Sequence, residues 1–252
     1  MDVIEDLIKK KPHLDAPLRF YERSIHFAES MKGLGMPSTR DMNAYPPRYA
    51  GQIVDRFMSA FDLPEGSMSP LRQALELGEI DFKRLPLGEV PAFSLPYPED
   101  DLTMLLFLLS KPFFSGLYDG AGGDGRDWEE GRCPVCSGRS TLVSVARGNA
   151  RRFHCPFCGT AGRGGHAGCP VCLTEEPAQL KLLAFEGEEG FSVQTCGVCR
   201  SYVKLVEQDL LAGMGSDLAD LISLPLDIVV QEKGFKRPSP NPLGMVRMSG
   251  KG

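Results

Sequence analysis

Apolar side chains recur every three or four residues through the first 115 residues of the chain, which is the spacing of amphipathic helices. Residues 52–61 place four apolar side chains on one helical face. Ser69, Pro70 and Gly78 mark a further helix, with a capping hydroxyl, a proline at the first helical position and a glycine just past the end. The pattern therefore predicts a multihelical N-terminal domain over residues 1–115.

The most apolar part of this region is the segment 98–111. It begins with acidic residues, which suit the positive end of a helix dipole. Its centre is apolar on every side, so we expect a buried helix. Lys111 and Pro112 predict the end of that helix, because a proline interrupts helical hydrogen bonding.

Glycines replace the apolar pattern between residues 116 and 130. Five glycines and few apolar residues predict a flexible linker and a domain boundary. Gly120, Gly122 and Gly125 fit the dinucleotide-binding fingerprint formally. That motif follows a strand and opens an apolar helix, and neither is predicted here, so we interpret the segment as a linker.

Short runs rich in β-forming residues follow, such as residues 140–146 and 191–196, and they predict small hairpins. A helical pattern returns at residues 216–233, with Gly234 as its end. Pro225 lies inside this pattern and is expected to kink the helix or split it in two.

All the cysteines of the chain occur in CxxC pairs, and the CPVC sequence appears twice, 36 residues apart. A CxxC turn directs two sulfurs toward one point, so two turns complete a tetrahedral site for zinc or iron. The spacing within the first unit is usual for such ribbons, and the spacing within the second is slightly longer. Because only local loops are then needed, the cysteines predict two metal sites in sequential order: Cys133, Cys136, Cys155 and Cys158 in site 1, and Cys169, Cys172, Cys196 and Cys199 in site 2.

Two other interpretations of these cysteines are less favourable. A dithiol of the thioredoxin type is disfavoured, because its CxxC normally lies beside a βαβ pattern rather than between short strands. His154 and His166 could replace cysteine as ligands. Since the cysteines already supply two complete sets of four, we favour loop or supporting roles for both histidines.

The charge is distributed unevenly. Residues 131–163 contain six arginines and no acidic residue, whereas residues 164–206 contain three basic and five acidic residues. The cysteine region is therefore at +4, and the total of −5 leaves the rest of the chain at −9. We expect no secretory signal at the acidic N-terminus, and the longest apolar run falls far short of the ~20 residues of a membrane span. We therefore expect a cytoplasmic protein without a membrane span.

Several motifs together resemble those of the formate dehydrogenase accessory proteins, the FdhE family. They are the four CxxC pairs, the Tyr202-x-Lys204 run after the last pair, the Asp-Leu-Ala-Asp helix, the QEKGF sequence and Asn241-Pro242. The resemblance covers residues 131–242. It implies an α+β fold: a helical N-terminal domain, then two tandem rubredoxin- or zinc-ribbon-like modules with four cysteines each, and a C-terminal helix.

The resemblance also implies a function. Members of this family are non-enzymatic cytoplasmic factors, with a chaperone-like role in producing active molybdenum or tungsten formate dehydrogenase. They bind its catalytic subunit before export or final assembly, and iron is one metal found in them. In agreement, the sequence shows no catalytic triad and no phosphate-binding loop. A homodimer is compatible with the sequence.

Two alternative functions remain open at this point. Arg147, Arg151 and Arg152 form a basic patch that could bind nucleic acid. We disfavour this, because few aromatic residues accompany the ribbons and the rest of the chain is acidic. An iron tetrathiolate could instead serve in electron transfer.

Five residues are candidates for contact with a protein partner. Arg147, Arg151 and Arg152 supply positive charge. Tyr202 and Lys204 lie two apart on a predicted strand and therefore face the same side. Contact with the dehydrogenase and packing beside the metal turn are equally compatible with this pair.

These patterns predict five segments along the chain. They are the helical domain (1–115), the glycine-rich linker (116–130), the first four-cysteine module (131–163), the second four-cysteine module (164–206) and a C-terminal helix with its tail (207–252).

Overall fold

The computed structural model describes residues 3–32, 45–89, 95–120, 127–128, 131–164 and 168–248. Helices form the N-terminal part, as the apolar spacing predicted. The α-helices described in this part are α1 (Val3–Lys10), α2 (Asp15–Met31), α3 (Tyr45–Phe61), α4 (Ser69–Glu76) and α5 (Glu99–Gly120). Short 3-10 turns at Pro12–Leu14 and Phe82–Leu87 connect them.

The first hydrophobic core lies where α2, α3, α4 and α5 meet. Phe27 of α2 packs edge-on against Phe57 of α3, with ring centroids 5.2 Å apart. Leu71 of α4 and Leu106 of α5 are completely buried in the same core. These residues come from the faces that the sequence pattern marked as apolar.

Helix α5 does not end at Lys111, so that prediction is wrong. The helix passes through Pro112 and ends at Gly120, inside the segment that the sequence assigned to a linker. Phe113 and Phe114, just beyond the proline, are both buried in the first core. Burial of two phenylalanine rings is worth several kcal/mol, which exceeds the ~3 kcal/mol cost of a proline within a helix.

The C-terminal part contains a seven-stranded sheet. Its strands are β1 (Asp127–Trp128), β2 (Leu142–Val145), β3 (Arg151–His154), β4 (Ala161–Gly164), β5 (Leu180–Ala184), β6 (Phe191–Cys196) and β7 (Tyr202–Glu207). Their order is β1-β4-β3-β2-β7-β6-β5. The two cysteine units each contribute a meander, β2-β3-β4 and β5-β6-β7. Parallel pairing of β2 with β7 joins them, so the two modules share one sheet.

Three helices follow the sheet, namely α6 (Gln208–Leu211), α7 (Gly215–Ile222) and α8 (Leu224–Glu232). The predicted split at Pro225 is confirmed, because α7 ends before Ser223 and the proline lies in the first turn of α8. Gly234 follows with a positive φ of 82°.

A second hydrophobic core lies between these helices and one face of the sheet. It contains Val193 and Val206 from the sheet and Leu221 and Val230 from the helices. Leu18 of α2 is buried in it as well. The beginning of the chain therefore packs against its C-terminal helices. Within the described ranges, no helix combines the length and the apolar content needed to cross a membrane.

Candidate metal centres

Each CxxC pair lies in a tight turn, and the same two backbone hydrogen bonds close all four turns. The amide of the first cysteine donates to the carbonyl five residues later, and the amide following the second cysteine donates back to the carbonyl of the first, at 2.8–3.1 Å. The residue after the second cysteine has a positive φ in every turn, at Ser137, Gly159, Leu173 and Arg200. Only Gly159 avoids the steric cost of this conformation.

The turns bring the cysteines together in the two predicted groups of four. In the first group, the sulfurs of Cys133 and Cys158 lie 3.5 Å apart, and those of Cys136 and Cys155 lie 3.4 Å apart. In the second group, the Cys169–Cys199 and Cys172–Cys196 sulfur pairs are both 3.7 Å apart. Within each group all four sulfurs lie within 4.8 Å of one another.

These distances fit a tetrathiolate metal ion. All eight cysteines are free, and their sulfurs are far more separated than the ~2.0 Å of a disulfide. Metal–sulfur bonds of about 2.3 Å in a tetrahedron place the sulfurs about 3.8 Å apart. The observed pairs lie within a few tenths of an ångström of that value, so each cluster could hold one metal ion. Four thiolates suit zinc and iron alike.

The thiols of the clusters differ in acidity. Burial raises the pKa of the Cys155 thiol, whereas hydrogen bonds from the other three cysteines of its cluster lower the pKa of the Cys133 thiol. Burial also raises the pKa of the Cys169 thiol in the second cluster. Because the thiolate is the metal ligand, binding of an ion displaces protons and weakens in acid.

The first cluster lies at the contact between the sheet and the helical domain, and all four of its sulfurs are buried. Phe157, inside its second turn, packs edge-on against Phe107 and Phe114 of α5, at centroid distances of 5.1 and 5.5 Å. An added Cβ at Gly138 would lie 2.9 Å from the Phe157 ring and 3.4 Å from the sulfurs of Cys136 and Cys155. Glycine is therefore required beside this cluster.

The second cluster is more open. The sulfurs of Cys169 and Cys196 are buried, that of Cys199 is half-buried and that of Cys172 is exposed. Leu173 and Val198, which belong to its two turns, are 44% and 57% exposed. The two clusters therefore share the same turns but differ in their surroundings.

Two contacts join the clusters directly. Arg139, next to the first cluster, donates a 2.9 Å hydrogen bond from Nη1 to the carbonyl of Val171 in the first turn of the second cluster. Gly131 lies so close to Pro170 of the same turn that an added Cβ would be 2.0 Å from the proline carbonyl oxygen. The spatial relation of the two clusters is thus fixed by side chain and backbone together.

The three arginines proposed for partner contact lie in different environments. Arg147, at the β2–β3 turn, is almost fully exposed, and the nearest Asp209 carboxylate oxygen is 3.9 Å away. Arg151 and Arg152 are half-buried on β3. Arg151 hydrogen-bonds Gln194 and lines an open groove of about 760 Å³ on the sheet. Burial lowers the pKa of the Arg151 guanidinium.

Tyr202 and Lys204 lie in the interior of the protein, at 2% and 0% exposure. They do face the same side of β7, but this side is covered by α7 and α8. The hypothesis that they contact a partner is corrected by this burial, because neither side chain reaches the surface. Both belong instead to a buried ionic network.

The buried ionic network consists of two cations and two carboxylates: Lys204, Arg237, Asp220 and Asp227. Lys204 Nζ lies 2.6 Å from Asp227 Oδ2 and 2.6 Å from Asp220 Oδ1. Arg237 donates to Asp227 Oδ1 at 2.8 Å and also pairs with Asp220. Burial alone would raise the pKa of the Asp220 carboxyl, but Arg237 and Lys204 outweigh it and hold that pKa below its usual range.

Further hydrogen bonds tie this network to both cysteine units. Tyr202 Oη donates to Asp227 at 2.6 Å, and Arg237 Nη2 donates to Thr141 Oγ1 at 2.8 Å. The sequence pattern did not predict that Asp220, Asp227 and Arg237 interact. Charged residues on the apolar faces of α7 and α8 could have indicated a buried ionic network, since buried charges need partners.

His154 belongs to neither of the two clusters of candidate ligands. Its Nε2 lies 2.9 Å from Ser144 Oγ on the neighbouring strand β2, and each cluster is already complete with four sulfurs. His166 lies outside the described residues. His154 therefore lies on β3 rather than in a loop, and its ring pairs with Ser144.

Comparisons with known proteins point to one family. A family model described as FdhE, C-terminal domain, matches residues 168–243. The "Protein FdhE homolog" of Edwardsiella ictaluri is 33% identical over 114 residues, which cover 44% of this chain and 36% of that protein. The "Protein FdhE" of Salmonella choleraesuis is 31% identical over 114 residues, again with 44% and 36% coverage. The matches thus span little more than a third of the length of these relatives.

A solved structure extends the likeness to most of the fold. The chain superposes on the crystal structure of the FdhE protein from Pseudomonas aeruginosa with a TM-score of 0.57. The alignment covers 92% of this chain and 96% of that one, at 17% sequence identity. This match supports the predicted α+β architecture, with N-terminal helices and two cysteine clusters in the C-terminal part.

Proposed function

We propose that this chain is an FdhE-type accessory factor in the maturation of a formate dehydrogenase. The observation that carries this proposal is the match of residues 168–243 to the FdhE C-terminal domain. That segment contains the whole second cluster and all four charged residues of the buried ionic network. On this proposal the protein is not an enzyme, works in the cytoplasm and contacts the catalytic subunit of the dehydrogenase.

The cysteine clusters would support this role by stiffening the binding surface. A bound zinc or iron ion would cross-link two turns within each unit, and the shared sheet would hold the two units in a fixed relation. Cys133, Cys136, Cys155 and Cys158 would ligate one ion, and Cys169, Cys172, Cys196 and Cys199 the other. An iron centre could additionally accept and return one electron.

Among the residues proposed for partner contact, Arg147 is best placed, because its side chain is exposed at a turn. Arg151 and Arg152 follow on β3 with their side chains on opposite faces of the sheet, so at most one of them shares a surface with Arg147. This positive charge would favour an acidic segment of the partner. A homodimer is also part of the proposal, as are the segment boundaries given above, except that α5 extends the helical domain to Gly120. Light scattering of the purified protein would give the oligomeric state.

Complementation tests the proposed function. The full chain is expressed in a bacterium that lacks its own FdhE protein, and formate dehydrogenase activity is measured. We expect the wild-type chain to restore activity and affinity capture to recover the catalytic subunit. A paired substitution, Cys169→Ser with Cys196→Ser, should abolish both results. A folded, metal-loaded wild-type protein that restores no activity and captures no subunit would contradict the proposal.

A further inference from the structure

The two cysteine clusters have matching turns but unequal access to solvent. We infer that the second cluster is a reactive, exchangeable metal centre that opens at Cys172, whereas the first is a closed structural centre. The reagents that would act at Cys172 are soft, thiol-directed ones: alkylating agents, oxidants and competing chelators. This inference rests on the metal binding that is part of the proposed function.

Closure of the first centre depends on aromatic packing. Phe157 is 2% exposed and lies between the cluster and the rings of Phe107 and Phe114 on α5. On another side, a Cβ added at Gly138 would lie 3.4 Å from the sulfurs of Cys136 and Cys155, so little free space remains there. Helix α5 and the first core therefore restrict access to these sulfurs, and Cys136, a half-buried residue whose sulfur is buried, is the least covered of the four cysteines.

The second centre lacks this cover on one side. Val198 is the counterpart of Phe157 in the other unit, since each is the third residue of the second CxxC turn, and Val198 is 57% exposed. Leu173 follows Cys172 directly and is 44% exposed. Of the four sulfurs, that of Cys172 is the exposed one, although the residue as a whole is half-buried. Reagents can therefore reach the outer side of Cys172 without local unfolding.

Exposure of one ligand matters chemically because a tetrathiolate ion is released in steps. A chelator must first displace one thiolate, and an alkylating agent must first reach a lone pair on one sulfur. With iodoacetamide, a carbon–sulfur bond forms at Cys172 and iodide leaves. The ion then has three thiolate ligands and is bound more weakly. Both reactions should begin at the sulfur that solvent already touches.

The test uses the full chain loaded with two equivalents of zinc. Zinc release to excess chelator is followed by absorbance, and iodoacetamide labelling is followed by mass spectrometry. We expect two release phases of equal amplitude whose rates differ at least tenfold. The fast phase should rise in proportion to chelator concentration, while the slow phase should be independent of it. Cys172 should be labelled first and the four cysteines of the first centre last.

Cys172→Ser and Cys136→Ser form a matched pair, because both residues are the second cysteine of a CPVC turn. Cys172→Ser should remove the fast phase and leave the slow one. Cys136→Ser should leave the fast phase and labelling at Cys172 unchanged if the variant folds, and wild-type labelling decides the matter if it does not. Equal release rates, or first labelling in the first centre, would overturn the inference. Failure to bind zinc at all would instead count against metal binding in the proposed function.

Discussion

The two cysteine units show how one local structure serves two environments. Each unit has two CxxC turns with the same hydrogen bonds, the same positive φ and four sulfurs within 4.8 Å. The first unit packs against α5 and the second faces solvent at Cys172. The main sequence difference inside the turns is Phe157 in one and Val198 in the other. A ring at this position extends the hydrophobic core over the cluster, and a small exposed side chain leaves it open.

The comparison also shows how the units depend on each other. The strands β2 and β7 pair directly, Arg139 reaches Val171, and Arg237 of the buried ionic network bonds Thr141 of the first unit. Neither unit is therefore an independent module. Four substitutions test these statements, and they are given in order of decreasing expected effect on the free energy of unfolding. The solvent exposure of Cys172 is tested separately, by zinc release and labelling.

The largest effect is expected from Phe157→Ala. Loss of a buried phenylalanine in a packed core should reduce the free energy of unfolding by about 3–5 kcal/mol, and it should speed zinc release from the first centre. The matched variant Val198→Ala removes an exposed side chain and should change stability by less than about 0.5 kcal/mol. Urea denaturation and chelator kinetics measure both. Equal effects of the two substitutions would show that the burial contrast has no energetic consequence.

The next effect concerns the buried ionic network. Asp227→Ala leaves Lys204 and Arg237 with one carboxylate between them, and removes the acceptor of Tyr202. Breaking a buried ion pair costs about 3–5 kcal/mol, and we expect the lower end because Asp220 remains. Glu232→Ala, an exposed acidic residue at the end of α8, is the control. Thermal unfolding of the two variants compares them, and a stable Asp227→Ala protein would mean that the network is replaceable.

A smaller effect is expected from Arg139→Ala, which tests the link between the two units. Loss of the 2.9 Å bond to the Val171 carbonyl should cost about 1–2 kcal/mol, since the donor is charged. Hydrogen exchange should increase in the turn around Val171. Arg132→Ala serves as control, because the bond from Arg132 goes to Ser137 within its own unit. Unchanged exchange around Val171 would indicate that the sheet alone holds the units together.

The smallest effect is expected from Gly159→Ala. Gly159 has a φ of 76° and open space around its Cα, so the substitution adds conformational strain and no clash. A cost of about 1 kcal/mol is expected. The equivalent position of the preceding turn already holds the exposed Ser137, with a φ of 65°, and there Ser137→Ala changes no backbone preference. Denaturant titration compares the pair, and a cost well above that of Ser137→Ala plus the expected strain would contradict the open surroundings of Gly159.

Pro112 and Pro225 illustrate the limits of local signals. Both lie inside an apolar helical pattern, and the sequence predicted an interruption at each. Only Pro225 interrupts its helix. At Pro112 the rings of Phe113 and Phe114 are buried in the first core, and this tertiary contact keeps α5 continuous. The same local preference therefore gave opposite outcomes because packing differs.

Tyr202 and Lys204 illustrate a second limit. The spacing of two residues predicted a shared side of a strand, and the structure has them on one side of β7. Helices α7 and α8 decide which side of β7 is covered. They act together with Asp220, Asp227 and Arg237, which are distant from β7 in the sequence. Complementary charges brought together by the fold cannot be identified from either segment alone.

The sequence by itself determined the eight cysteines and their grouping, the helical N-terminal part and the β-rich C-terminal part. Turn spacing and apolar periodicity are local properties of the sequence, so they predict helices, strands and CxxC turns without knowledge of the tertiary packing. Only the tertiary structure decided that one cluster is buried and the other open, that the two units share a sheet, and that Lys204 lies in the interior. Those outcomes depend on which distant surfaces pack together, and the free energy of packing is a sum over residues far apart in the chain.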